Sequence, residues 1–396
     1  MKGMSRSHPL VLAIFLCFYA VILTGCWDRT EVNDLALITG AAIDYHSKKK
    51  IALSVQIFIA RASGGGGGVG MEKKSGSGTQ NTFVRTATGE NIAAALANLQ
   101  EQIPRKLFWG HAEIVIFGEA AAKNGIRDDI DYLMRAPQPR ERAYIYVSKG
   151  KASEALELQS ILERDTSEVL REISKSKIMI SVTLAELAAM LTSDSGDAAL
   201  PYLNPVISKS EKDKAMSLIR GTAVFKKDKM TGSINDSISR GALWLRNEMK
   251  TAVITVNPKN SSGELSFRLL NSSTKLKPSI VNGELKMAVD IHTEVDALQN
   301  ETSLNLISDE KALKKVEAYI NFDIESRVKL ALKRVQKGMK SDIFDFASVF
   351  HRAYPKEWEK MKDHWSELYP TVDVTVTAKS KVLRPGLSNV EPTSPK

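Results

Sequence analysis

The sequence predicts a mixed α/β fold, and the main evidence is the order of its apolar patterns. Short runs rich in Val, Ile and Leu alternate with helical stretches along the chain, which is the pattern of sheets covered by helices. With 396 residues, 43% of them apolar and 26% charged, the chain is long enough for two or three domains with cores of their own. We therefore expect three domains, each a small mixed sheet with helices, and a long amphipathic helix packed on the sheet of the last domain.

The first predicted domain, residues 26–197, opens with two strands at 35–44 and 51–59. A segment at 63–78 contains five consecutive glycines. It lacks the Gly-Lys-Ser/Thr ending of a phosphate-binding loop, so we interpret it as a loop that joins two strands. Further strands are predicted at 112–117 and 142–147, and helices at 91–102, 120–124, 128–134, 152–158, 166–175 and 184–191.

The second predicted unit, residues 198–275, combines a linker with a small middle domain. Residues 194–214 are rich in Ser, Asp, Lys and Pro, a composition that favours a linker. The strands expected after it lie at 218–225, 252–256 and 264–270, with a turn and short strand at 227–237 and a short helix at 241–247.

The third predicted domain, residues 276–384, is dominated by a long helix that Ser308 is expected to cap. Apolar residues recur at steps of three or four from Leu313 to Met339, forming one face of about 30 residues. We interpret it as a helix packed on a sheet; the alternative is a free membrane-binding helix. Other expected elements are strands near 279–291 and 372–377, helices at 342–350 and 356–368, and a flexible tail at 385–396.

Residues 1–25 have the layout of a bacterial lipoprotein signal peptide. Lys2 and Arg6 form a basic start, and 14 uncharged residues follow at 10–23. That core is shorter than the roughly 20 residues of a spanning helix. It ends in Leu-Thr-Gly-Cys, a lipobox whose cysteine is Cys26. The alternative is an uncleaved signal anchor, since the uncharged run extends from Ser7 to Trp27.

We predict that residues 1–25 are removed and that Cys26 carries an S-diacylglyceryl group and an N-acyl chain such as palmitate. Two or more acyl chains on one residue give stable anchoring, whereas one chain is marginal. The other cysteine, Cys17, lies in the leader. The body therefore has no internal disulfide.

Charge and composition point to a membrane-proximal protein rather than to a nucleic-acid-binding one. Lys2 and Arg6 account for two of the nine net positive charges, which leaves +7 for the body. A modest basic charge suits anionic head groups. The sequence carries no helix-turn-helix, zinc-finger or RNA-binding signature.

We find no catalytic constellation, metal site or cofactor motif in the sequence, although its many acidic residues leave a glycosidase pair of carboxylates open as an alternative. His351 and His364 are not at the four-residue spacing of a helical zinc pair. His111 is interpreted as a structural histidine bonded to the backbone, with a general base as the alternative. An aromatic group near the end is interpreted as core, with an interface as the alternative. Its members are Phe350, Tyr354, Trp358, Trp365 and Tyr369.

The segment that starts at the lipobox cysteine, Cys26-Trp27-Asp28-Arg29, resembles the mature start of the Ger(x)C lipoproteins. These are the C subunits of spore nutrient-germinant receptors. Further segments resemble the same family in the same order, nearly to the end of the chain. They are residues 104–111, 117–119, 131–135, 221–232, 240–245 and 342–346, followed by His351-Arg352, Pro355-Lys356, Trp358 and Trp365.

The resemblance implies a three-domain α/β lipoprotein without enzymatic activity, on the outer face of the spore inner membrane. It would act beside an A subunit and a multi-spanning B subunit in a complex that senses amino acids, sugars or nucleosides. Direct nutrient binding by this subunit is not expected. Trp27, Asp28 and Arg29 would lie nearest the membrane, either as partner contacts or as a rigid lead into the first strand. The remaining alternatives are a solute-binding lipoprotein that serves a transporter and a surface enzyme such as a cell-wall hydrolase.

Overall fold

The computed structural model describes Phe15 and residues 34–47, 50–58, 82–158, 163, 165–206, 216–258 and 263–386. The rest of the predicted signal peptide, the glycine-rich segment and most of the predicted tail lie outside these residues. Within them the strands form two sheets, of nine and four strands, with helices on their faces. The mixed α/β class that the sequence predicts is thereby confirmed.

The larger sheet has the strand order β3-β2-β1-β5-β6-β7-β8-β9, with β4 beside the start of β1. Strands β1, β5, β6 and β7 run parallel, as does the short β4 beside β1, whereas β2 and β8, which flank this group, run antiparallel to it. The strands are β1 (Leu35–Ser47), β2 (Lys50–Phe58), β3 (Thr82–Gly89), β4 (Lys106–Phe108), β5 (Ile114–Gly118), β6 (Tyr144–Ser148), β7 (Ala198–Val206), β8 (Met216–Lys226) and β9 (Lys229–Asn235).

Helices cover both faces of this sheet, which explains why β5 is buried along its whole length. One core continues from this sheet into the second sheet, and a smaller core under α4 and α5 fills the opposite face. The helices are α1 (Ile92–Gln102), α2 (Glu119–Asn124), α3 (Arg127–Arg135), α4 (Ala152–Leu156), α5 (Thr166–Ser176), α6 (Leu184–Leu191) and α7 (Asp236–Leu245).

Strand β7 lies inside the segment predicted to be a linker, so that prediction is wrong for residues 198–206. Ala198, Ala199 and Leu200 are fully buried, and β7 pairs with both β6 and β8. Its two prolines, at 201 and 205, lie outside the short stretch that pairs with β6. A missing backbone N–H is tolerated there. In the sequence, however, the two prolines argue against a strand.

The second sheet has the order β10-β11-β12-β13 and is built on a hairpin of two 17-residue strands. Its strands are β10 (Val253–Val256), β11 (Leu265–Val281), β12 (Glu284–Asn300) and β13 (Asp373–Arg384). Asn282 and Gly283 form the turn, both with positive φ, of 53° and 81°. This is the two-residue turn that Asn-Gly favours between strands.

The strands are grouped differently from the three small sheets expected. Residues 198–275 supply strands to both sheets and have no sheet of their own in the described part of the chain. The expected boundary at 275 falls in the middle of β11. The division into domains 26–197, 198–275 and 276–384 stays a prediction.

The long helix is present as α8 (Glu310–Leu332), extended by a π-helical segment, Lys333–Met339. Its inward face is fully buried at Val316, Ile320, Ile324 and Val328, as the periodicity predicts. Its cap is Asp309 rather than Ser308, because the Asp309 side chain accepts from two N–H groups of the first turn. The last helices are α9 (Phe346–Ala353), α10 (Pro355–Met361) and α11 (Trp365–Leu368).

Helix α8 also covers the open edge of β13. Three side chains spaced four residues apart on the helix accept from backbone N–H groups at every second residue of the strand. The pairs are Glu325 with Ala378 (3.1 Å), Asn321 with Ser380 (2.6 Å) and Glu317 with Val382 (3.0 Å). The spacings match because four helical residues rise about 6 Å and two strand residues about 6.7 Å. These three backbone N–H groups, which could otherwise pair with a strand of another chain, are thereby hydrogen-bonded.

Candidate functional site

The residues predicted from the sequence to carry function at the start of the body lie outside the described residues. They are Cys26, Trp27, Asp28 and Arg29. Lipidation therefore stays a prediction. Among the residues that the structure describes, no helix is long and apolar enough to cross a bilayer.

The histidines occupy separate places. His111 is exposed and lines a cleft of about 210 Å³ with Glu113 and Asp165. In the described part of the chain it forms no hydrogen bond to the backbone, contrary to the expected structural role, and its ring contacts that of Phe108. His351 Nδ1 lies 3.0 Å from Asp194. The described residues contain no group of three His, Cys, Asp or Glu side chains placed to hold a metal ion.

A group of buried polar contacts, which we call the junction, lies where the two sheets meet and is centred on Asp342 and Asp197. The Asp342 carboxylate accepts from the backbone N–H groups of Phe346 (3.0 Å) and Ala347 (2.8 Å), at the start of α9. It also accepts from Trp365 Nε1 at 2.9 Å. Burial raises the pKa of the Asp342 carboxyl to about 7, against the lowering effect of these three donors.

Asp197 ties three separate pieces of chain to this centre. Its carboxylate accepts from the backbone N–H of Lys227 (2.8 Å), in the β8–β9 turn, and from that of Asp342 (2.7 Å). Burial raises the pKa of the Asp197 carboxyl, while the two N–H donors lower it. A second link joins the same pieces, because Ser341 Oγ donates to the Phe225 carbonyl at 2.7 Å. The start of β7, the β8–β9 turn and the lead into α9 are therefore held as one unit.

Arg246, one residue past α7, is the main cation of this junction. Its side chain is only 13% exposed and pairs with Glu248 at 2.7 Å. It also donates to the backbone carbonyl of Ile343. Burial lowers the pKa of the Arg246 guanidinium, but Glu248, Asp345 and Glu186 together more than offset this, so the pKa lies above its usual value. Arg246 therefore stays charged inside the junction.

Three clefts open around Arg246, and that residue lines all of them. Their volumes are about 300, 400 and 480 Å³. The first runs along α6, the second passes Asp197 and Asp345, and the third follows β11 past Thr274 and Pro278. Their walls combine apolar side chains with acidic and hydroxyl groups. Such surfaces suit contacts with polar segments of a partner.

The predicted aromatic group packs beside this junction as core. Phe350, Trp358, Trp365 and Tyr369 are at most 4% exposed, and Tyr354 is partly buried against them. Trp358 and Trp365 stack edge to face with centroids 5.2 Å apart. The core interpretation is therefore confirmed.

A close backbone contact joins α7 to α8 next to the junction. A Cβ on Gly241 would lie 2.1 Å from the Arg327 carbonyl oxygen, so only glycine lets the two helices approach this far. Gly241 belongs to the segment 240–245 on which the family resemblance rests. Leu245 and Phe344 line one cleft, and Phe225 accepts a hydrogen bond from Ser341, next to segment 342–346. Segments 221–232, 240–245 and 342–346 therefore meet at one place, although they are far apart in the sequence.

Sequence reasoning missed the roles of Asp197, Arg246 and Asp342. Asp342 and Arg246 lie in or next to segments that carry the resemblance, and this is the signal that could have drawn attention to them. Asp197 gave no signal, because it lies in a stretch rich in Ser and Asp. Its partners are 30 and 145 residues away.

The fold and the junction define a two-sheet α/β protein, and the comparisons place it in a family. The spore germination protein N-terminal domain matches residues 28–205. The spore germination B3/GerAC-like C-terminal domain matches residues 220–386. The chain belongs to this family of spore germination proteins, as the resemblance to the Ger(x)C family predicts.

Individual relatives agree over nearly the whole length. The putative spore germination protein YfkR of Bacillus subtilis is 31% identical, over 93% of this chain and 94% of its own. Spore germination protein KC of the same organism is 27% identical, over 96% of both chains. The crystal structure of the GerBC protein matches with a TM-score of 0.57 and 17% identity, over 87% of this chain and 97% of the other. This last likeness concerns the fold.

Proposed function

We propose that this chain is the lipid-anchored, non-catalytic C subunit of a spore nutrient germinant receptor, acting with A and B membrane subunits to trigger germination. The observation that carries the proposal is the match of both halves of the chain to spore germination domains. The lipobox at Cys26 supplies the anchor. The complex senses the nutrient, and this subunit is not expected to bind it directly.

The proposed anchor holds the body close to the outer face of the spore inner membrane. Leu35, the first residue of β1, follows Cys26 by nine residues. Nine extended residues span at most about 30 Å. In this arrangement Trp27, Asp28 and Arg29 lie at the bilayer surface, where they contact the B subunit or lead the chain rigidly into β1. The clefts around Arg246 are further surfaces for the membrane subunits.

The alternative of a solute-binding lipoprotein has less support. Such a protein delivers its solute from a deep cleft between two similar lobes. Here the two sheets have nine and four strands, and one core continues between them. The described residues therefore do not divide into two similar lobes.

The test is germination of spores whose only copy of the protein carries Cys26→Ala. Cys17→Ala is a matched control, because it removes a thiol from the leader without touching the lipobox. We expect a labelled fatty acid to enter the wild type and Cys17→Ala but not Cys26→Ala. The nutrient response should fall only in Cys26→Ala. If Cys26→Ala keeps the label, Cys26 is not the lipidated residue. If these spores respond normally, the receptor role of the anchored chain is refuted.

A further inference from the structure

The carboxyl-terminal part of α8 and its π-helical extension form a strongly basic stretch. Residues 327–340 contain six cationic residues and no acidic one. Arg327 pairs with Asp323, and Lys329 with Glu325. The other four are Lys333, Arg334, Lys337 and Lys340, which we call the basic end. All four are exposed.

The basic end is poorly neutralised. Lys333, Arg334 and Lys340 form no ion pair in the described part of the chain, and Lys337 donates to the Pro370 carbonyl at 2.6 Å. Basic residues in the last turn of a helix stabilise it through the helix dipole. That effect is limited to the last turn, so it does not explain four exposed cations spread over eight residues. An uncompensated group of cations on an exposed surface attracts an anionic partner.

Exposed apolar side chains continue from the basic end along the outward face of α8. Phe322 is 71% exposed and Leu330 is 44% exposed. Together with Ser326 and Arg334 they follow one another at four-residue steps, so they lie on one face. This face is opposite the buried stripe of α8. Large apolar groups next to Lys and Arg are typical of surfaces that lie in the head-group region of a membrane.

The fold places the basic end near the end of the larger sheet at which strand β1 begins. Ser341 and Asp342, directly after Lys340, bond to Phe225 and Asp197. Phe225 pairs with the first residue of β7, which runs parallel to β1 through β5 and β6. Phe225 lies in β8, four strand spacings of about 4.8 Å from β1, so about 19 Å separates it from the strand that the tether reaches.

We propose that the basic end binds anionic phospholipid head groups and so fixes which side of the body rests on the membrane. The inference rests on the proposed lipid tether, which brings the body to the bilayer but does not orient it. Each cation near an anionic surface contributes about fivefold to the binding constant. Neutralising three of them therefore lowers the docking equilibrium constant about a hundredfold.

The experiment uses the lipidated full chain reconstituted in vesicles, with a polarity-sensitive dye on Ser326→Cys. In the processed chain this is the only unmodified thiol, since Cys26 carries lipid. Vesicles of phosphatidylcholine are compared with vesicles that contain about 30% phosphatidylglycerol. We expect the dye to report an apolar environment only with the anionic vesicles. Salt at about 0.5 M should abolish this response, because it screens the attraction between the cations and the head groups.

The test variant is Lys333→Gln, Arg334→Gln and Lys340→Gln together, which leaves the Lys337 hydrogen bond intact. The matched control changes Lys311, Lys314 and Lys315 to Gln at the other end of the same helix, about 33 Å away at 1.5 Å per residue. Circular dichroism checks that both fold. The test variant should lose the dye response, and the control should keep it.

Other results would overturn the proposal. The lipid assignment is wrong if the dye responds equally to both vesicle types, or if both triple variants lose the response. A response to soluble polyglutamate but not to anionic vesicles would instead assign the basic end to an acidic protein partner. Flotation of the vesicles separates this test from the proposed function. A chain without lipid at Cys26 fails to float with either composition, whereas a failure of the docking proposal leaves a chain that floats without a dye response.

Discussion

Gly241→Ala should destabilise the protein, although alanine is the better helix former. Gly241 lies within α7, where replacing glycine by alanine normally stabilises a helix by about 1 kcal/mol. Here the new Cβ would lie 2.1 Å from the Arg327 carbonyl oxygen and 2.6 Å from its carbon. Ordinary contacts begin near 3.4 Å. Helix α8 would therefore have to move by more than an ångström.

The structure offers α8 no easy direction in which to move. Its inward face is fully buried at Ile320, Ile324 and Val328, and its polar side chains hold the edge of β13. Overpacking a core by one methyl group usually costs about 1–3 kcal/mol, and a contact with rigid backbone belongs at the upper end of that range. After subtraction of the helix-propensity gain, we expect a net loss of about 1–2 kcal/mol.

Guanidinium unfolding followed by tryptophan fluorescence measures this loss, and Gly338→Ala is the matched control. The nearest atom to a Cβ on Gly338 is the Lys333 carbonyl oxygen at 3.5 Å, an ordinary contact. Gly338→Ala should therefore leave the midpoint unchanged or raise it. A Gly241→Ala protein as stable as the wild type, or an equal midpoint shift in both variants, would refute the predicted clash with α8.

Two further predictions concern α8 and the junction. Asn321→Leu leaves the Ser380 N–H without its acceptor, so it should lower the free energy of unfolding by about 1–3 kcal/mol. Asn321→Asp keeps an acceptor and should stay close to the wild type in the same unfolding assay. Equal losses in both variants would contradict the role of Asn321 at the edge of β13. Because the pKa of Asp342 is raised from 3.8 to about 7, the folded protein binds this proton more tightly than the unfolded chain. Asp342 therefore lowers stability as pH rises from about 4 to about 7, by roughly 4 kcal/mol at 1.36 kcal/mol per pH unit. Asp342→Asn should flatten the dependence of the unfolding midpoint on pH over that window, and an unchanged slope would contradict the assignment.

Elements with a strong local pattern were predictable from the sequence. The apolar periodicity of α8 is written in contiguous residues, and the structure buries the predicted face. The alternation of Val372, Val374 and Val376 with polar residues likewise predicts β13, which extends further than expected to Arg384. Such patterns are least informative at the ends of an element, where a cap such as Asp309 depends on side-chain geometry.

Two strand errors had different causes. Strand β7 was missed because prolines and polar residues outweighed its short buried run, Ala198 to Leu200, whose environment is set by strands from elsewhere in the chain. The long hairpin of β11 and β12 was divided by the predicted boundary although the sequence contains Asn282-Gly283, a strong hairpin signal. Avoiding the first error requires tertiary information, whereas the second could have been avoided from the sequence alone.

The sequence by itself determined the mixed α/β class, the long helix and the membership in a spore germination family, because each is expressed in neighbouring residues or in segments that keep their order. Only the tertiary structure decided how the strands divide into sheets and which polar groups form the junction. Asp197 and Asp342 are 145 residues apart, and no pattern in either segment indicates its partner. Contacts of this kind form only when the folded chain brings distant segments together. The burial that raises the pKa of both carboxyls likewise exists only in the folded protein.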